Sequence, residues 1–140
     1  MDASYVYHAS SVPGIKRLTP RKRYVPGVLG NKAKPAVYAA IHPAYAVGHG
    51  FSWDSSEGFD IFEKKGKIIL EVPLVFKERL NYPVYVYSLP LQSFRVLEKS
   101  SPLTSILISY QSVIPVHIKR FATVRKALKF YGGTVKYVSP

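Results

Sequence analysis

The chain has 140 residues, with 20 Lys and Arg against 8 Asp and Glu for a net charge of +12, and 47% hydrophobic residues. That length suits one domain spanning residues 1–140, and the apolar share supports a packed core rather than disorder. There is no cysteine, which excludes disulfide frameworks, thiolate metal sites and cysteine nucleophiles together.

Eleven Pro and nine Gly are spread along the chain, so the elements are expected to be short and an all-helical bundle is excluded. Eleven Tyr and seven Phe favour strands. No apolar run approaches the roughly 20 residues that cross a bilayer, so no membrane is expected among the partners. The first residues, MDASYVYHAS, have no basic stretch leading into an apolar one, so no secretory signal is read. The expected location is cytoplasmic.

In chain order, Tyr5, Val6, Tyr7 and His8 predict a short strand, which Ser10, Ser11, Pro13 and Gly14 break. Residues 15–35 read as loop, with a basic run at Arg21, Lys22 and Arg23 and turn signals at Pro26-Gly27 and Gly30-Asn31. Residues 36–40 (AVYAA) form a short apolar strand. His42-Pro43 follows, and proline suits a first helical position, so a small helix is predicted through residues 44–47, ended by Gly48 and Gly50.

Residues 51–66 read as a surface excursion carrying Trp53 and a Lys64-Lys65-Gly66 turn. Strands are predicted at 67–72 (KIILEV), 83–89 (PVYVYSL), 93–98, 104–112 and 116–121. Residues 124–131 predict the one strong helix. Thr123 is a suitable N-cap; Val124, Ala127, Leu128 and Tyr131 fall on one stripe; Gly132-Gly133 stops it. A last strand covers 134–138. The expected fold class is α+β, with a mostly antiparallel sheet of about seven or eight short strands and one or two helices.

The charge is unevenly placed. Residues 3–53 hold seven Lys or Arg and no acid, and residues 99–140 hold seven and no acid. Two basic arms therefore flank a near-neutral middle. Such a field attracts polyanions: nucleic acid, nucleotides or an acidic protein partner. Any catalytic carboxylate must come from the middle or from Asp2. The four histidines, His8, His42, His49 and His117, lack zinc spacing, so no metal site is predicted. Neither GxGxxG, a Walker motif nor GxSxG is present.

YHAS at 7–10 with GIKRLTPR at 14–21, then AVYAA at 36–40 and the following small helix, resembles small microbial and viral members of the ADP-ribosyltransferase fold. These are relatives of the His-Tyr-Glu class that includes poly(ADP-ribose) polymerases and diphtheria toxin. YPVYVYSLPLQSF at 82–94 is similar to the "VY-x-x-P-x-x-x-F" segment of those proteins. SYQSVIPVHIKRF at 109–121 is similar to their third-motif strand and its "PV" turn. The resemblance covers most of the chain, and implies a split sheet and NAD as cofactor; if the source is viral, it implies a host-cell location.

Carried over residue by residue, the resemblance implies that His8 bonds a ribose hydroxyl of NAD and that the backbone of Ala9 clamps the nicotinamide amide. Tyr38 would offer its face to the nicotinamide ring, with Tyr45 as a second wall. Arg17 and Arg21–Arg23 would meet the pyrophosphate. The first of these readings puts His8 and Tyr38 side by side in one cleft.

The third motif departs from the class. Where its members carry a glutamate that opposes the positive charge of an oxocarbenium-like transition state, this chain has Ser109, with Gln111 two residues on along the same side of the strand. Neither carries charge. Either Glu98 or Glu71 supplies the carboxylate, or transfer is slow or absent. The implied function is an NAD-binding, ADP-ribosyltransferase-like protein, weak or inactive as a transferase. The competing readings are a basic nucleic-acid-binding module on the same fold, an RNA 2′-phosphotransferase-like protein, and an interaction protein using its basic arms.

Overall fold

A computed structural model describes residues 4–21, 35–98 and 103–139. Among them the chain forms nine strands and two α-helices: β1 (Tyr5–Ser10), β2 (Val37–Ala40), α1 (Pro43–Gly48), β3 (Asp60–Lys64), β4 (Lys67–Pro73), β5 (Val84–Pro90), β6 (Arg95–Glu98), β7 (Ile106–Ser109), β8 (His117–Phe121), α2 (Val124–Phe130) and β9 (Thr134–Val138). Six strands form one sheet in the order β6-β7-β2-β1-β5-β8, and three form a second in the order β3-β4-β9. Every pairing is antiparallel except β4 with β9. The class is α+β and mostly antiparallel.

The strand count exceeds the expectation because residues 51–66 are not all surface excursion. Residues 60–64 form β3, hairpinned onto β4 with Lys64 opposite Lys67. Lys65 (φ 52°) and Gly66 (φ 78°) both turn left-handed, as the tight two-residue hairpin requires. Three of the five residues of β3, Asp60, Glu63 and Lys64, are charged, which hides its strand character from an apolar-run reading. The other predicted strands form with their ends shifted: β1 runs on through Ser10, read from the sequence as part of its break, because pairing with β5 continues to that residue, and 104–112 shrinks most, to Ile106–Ser109.

Period-two alternation gives the large sheet two buried faces. Tyr7, Ala9, Ala40, Val84 and Val86 pack with Ala44 and Val47 of α1, Ile68, Leu70 and Val72 of β4, and Val124, Ala127 and Leu128 of α2. This core joins the two sheets. On the opposite face, Val6, Val37, Ala39, Tyr87, Leu89 and Leu107 pack beneath Leu18 and Val113. Tyr87 is fully buried there. Its hydroxyl donates to the Val12 carbonyl (2.6 Å) and accepts from the Ile15 amide (3.2 Å), so the 83–89 tyrosine alternation serves packing.

Helix α2 forms where its stripe predicts. The Thr123 side chain accepts from the Lys126 amide, and Val124, Ala127 and Leu128 are buried. No helix among the described residues is long and apolar enough to cross a membrane.

A candidate nucleotide site at the β1–β2 opening

The large sheet opens between β1 and β2. All six residues of β1 run in register with β5, yet β1 meets β2 only where Tyr7 faces Ala40. The Ser4 carbonyl accepts from the Leu91 amide at 2.9 Å, so even-numbered residues of this strand direct their peptide groups toward β5. By alternation Tyr7 and Ala9 direct theirs toward β2. On β2, Ala40, Tyr38 and Ala36 face back. A continuous ladder would set the Ala9 amide against the Tyr38 carbonyl.

That pairing is replaced. His8 Nδ1 donates to the Tyr38 carbonyl at 3.0 Å. A carbonyl only accepts, so Nδ1 carries the proton and Nε2 is the acceptor of the neutral ring. Farther along, Ala36 and Arg21 exchange two backbone hydrogen bonds of 3.0 Å each. The opening is thus bounded by Tyr7–Ala40 at one end and Arg21–Ala36 at the other, with the imidazole bridging its middle and the Ala9 peptide groups directed into it.

The backbone at Ala9 is held from behind. A Cβ on Gly50 would lie 2.7 Å from the Ala9 Cβ and 3.2 Å from its carbonyl carbon. Only glycine allows the chain leaving α1 to press this closely on β1.

His8 and Tyr38 therefore do sit on adjacent strands, but their rings do not face each other across a cleft, as the sequence reading expected. His8 leaves β1 on the side of Val6 and Tyr87, its ring 6.5 Å from that of Tyr87. Tyr38 alternates with Val37 and Ala39 and so leaves β2 on the α1 side. Strict alternation on two antiparallel strands dictates this. The residues meet through imidazole and carbonyl at the seam.

The half-buried Tyr45 on α1 packs edge-on against His49 at 4.7 Å. An aromatic run continues from His49 to Trp53, Phe59 and Phe76 at 5.6–5.7 Å per step. Trp53 Nε1 donates to the Gly48 carbonyl at 2.6 Å, which pins the 51–59 segment to α1. Arg79 lies over Phe76 and grips Glu57 through two hydrogen bonds of 2.9 and 2.7 Å, holding that carboxyl below its usual range. Arg17 is exposed beside Leu18, which bridges Val113. The Arg21 side chain is exposed at the end of the opening. Lys22, Arg23 and the turns at 26–27 and 30–31 lie outside the described residues.

The third-motif pair is one strand removed. Ser109 ends β7 opposite Val37 of β2 and is 6% exposed. Its hydroxyl donates to the Gln111 carbonyl (3.1 Å) and approaches the Gln111 amide (3.3 Å). Gln111 is not on the strand, as the sequence reading had it. It lies in the exposed bend beyond, because the Ser109 hydroxyl closes a local turn that ends the ladder. Glu71 points away from the core on β4, in register with Asp60 and Lys136 and 3.9 Å from the Lys136 ammonium, so it does not reach the seam. Glu98 ends β6, the sheet's edge strand. Among the described residues no three His, Asp or Glu side chains form a group able to hold a metal ion. His42 instead caps α1 through Nδ1, which accepts from the Ala44 amide at 3.0 Å.

Searches of protein families, of curated proteins and of solved structures return no match to this chain.

Proposed function

We propose that the chain is an NAD-binding protein of ADP-ribosyltransferase-like fold that holds the dinucleotide at the β1–β2 opening and turns it over slowly. The observation that carries this reading is the interrupted ladder at Ala9. A primary carboxamide offers one acceptor and two donors, and the N–H and C=O of one peptide directed into an opening complement it. Beside that peptide stands the imidazole of His8, with Nε2 facing a hydroxyl of the dinucleotide, while Tyr38 contributes its carbonyl to the seam and not its ring, which leaves the sheet on the other face. Arg21, and Arg17 on the preceding loop, supply charge for a pyrophosphate. The split of nine strands into sheets of six and three supports the fold assignment. NAD would supply an ADP-ribosyl group, released from nicotinamide as it is transferred.

Slow turnover follows from the third motif. Ser109 and Gln111 are neutral, and loss of one preorganised charge-stabilising group costs about 10²–10³ in rate. Calorimetry with NAD tests the reading. NAD and free nicotinamide are expected to bind, nicotinic acid to bind far more weakly because a carboxylate donates no hydrogen bond, and His8→Ala to abolish binding. Ser109→Glu or Gln111→Glu should raise NAD hydrolysis in one of the two variants. Absence of NAD binding, or nicotinic acid binding as well as nicotinamide, would overturn the assignment.

A further inference from the structure

A second site lies on the far side of β2 from the opening. The ends of β6 and β7 and the bend after β7 line an open groove of about 540 Å³, within the size range of pockets that hold small ligands. Arg95, Tyr110 and the Ser and Gln side chains of residues 92, 93, 109, 111 and 112 carry its polar lining, and among the described residues no carboxylate lines it. Among the described lining residues Arg95 is the one ionic side chain.

Arg95 lies over the ring of Tyr110, 4.7 Å from its centroid. A guanidinium held over an aromatic face can still present N–H groups for bidentate contact with a phosphate. Arg95 belongs to neither ion pair found among the described residues, Arg79–Glu57 and Lys136–Glu71. Tyr110 is 42% exposed, so it also offers aromatic surface to a ligand. Hydroxyls and an amide around the guanidinium match phosphate and sugar oxygens.

We infer that this groove binds a single-stranded polynucleotide, with Arg95 on a phosphate and Tyr110 as a stacking platform for a base. A polynucleotide is favoured over a phosphopeptide by two features. The platform pairs an aromatic face with a guanidinium, the combination that single strands use. The chain's charge of +12, with no acid in residues 99–140, rewards a ligand bearing many phosphates. The inference shares Ser109 and Gln111 with the NAD reading but rests on Arg95 and Tyr110, which that reading does not use.

Fluorescence anisotropy with a labelled single-stranded RNA of about ten nucleotides tests it, in low and moderate salt. Affinity is expected to fall as salt rises. Arg95→Ala should weaken binding about tenfold or more, as loss of charged hydrogen bonds does, and Arg95→Lys should restore only part because lysine lacks the planar fork. Tyr110→Leu should weaken the RNA but leave inorganic pyrophosphate competition unchanged. Arg95 is exposed on an edge strand, and an Arg95→Gln variant with wild-type thermal unfolding separates lost binding from lost fold. Equal binding by wild type, Arg95→Ala and Arg95→Gln, no RNA binding, or equal affinity for a phosphopeptide of matched length would overturn the inference.

Discussion

His42 shows how much one side chain decides. As a neutral ring its Nδ1 accepts from the Ala44 amide and caps α1; as an imidazolium it has no acceptor to offer. Burial holds its pKa below the ordinary value of 6.5. Below pH 6.5 the unfolded chain therefore takes up the proton before the folded one does. Stability rises with pH wherever the unfolded state binds more protons, so this contribution is complete above about 6.5 and is lost as pH falls through the folded pKa. Urea unfolding from pH 8 to pH 5 should weaken wild type more than His42→Asn, which keeps a capping oxygen without titrating. Loss of a cap costs about 0.5–2 kcal/mol. Parallel pH profiles for the two proteins would remove the cap from the account. The sequence marked Pro43 as a helix start but not His42 as its cap, because histidine is seldom a capping residue and only the ring's placement reveals it.

At the level of elements, α2 is the part most directly written in the sequence. Its cap, stripe and glycine stop appear where spacing puts them, and Leu128 is fully buried between the sheets. Truncation to alanine removes apolar contact and leaves a cavity that the rigid surroundings only partly close, so Leu128→Ala should cost about 2–5 kcal/mol. A change within about half a kcal/mol, typical of surface positions, would place that stripe in solvent. Strand β3 is the counterexample. Its hairpin turn was legible in Lys65-Gly66, but its residues are half polar because one face is open, and only pairing with β4 makes them a strand. Tyr131, at the end of α2, is half-buried near Tyr7, and burial pushes its phenol up to about 12.

For the whole molecule, the question is whether two sheets make one folding unit. Ile68, Leu70 and Val72 of the small sheet, Val84 and Val86 of the large one, and Leu128 of α2 share a single buried cluster. Neither sheet keeps a buried inner face without the other. Unfolding is therefore expected to be one cooperative transition, with the fluorescence of the single Trp53 on the α1 side coinciding with circular dichroism of the strands. Two separated transitions would show that the sheets fold independently.

The sequence by itself determined the α+β class, most strands, both helices and the basic arms, because periodicity, turn residues and charge are local or additive properties. His8, Ala9 and Tyr38 were singled out only by the resemblance of the motifs that carry them. Only the tertiary structure decided how those residues meet. Which peptide groups face the gap depends on which neighbour each strand takes, and that is a long-range choice: β1 follows β5 for its whole length and leaves β2 after one pair. The same holds for Arg95 and Tyr110. In the sequence Arg95 is an ordinary strand arginine, and only the register of β6 against β7 brings it over the Tyr110 ring.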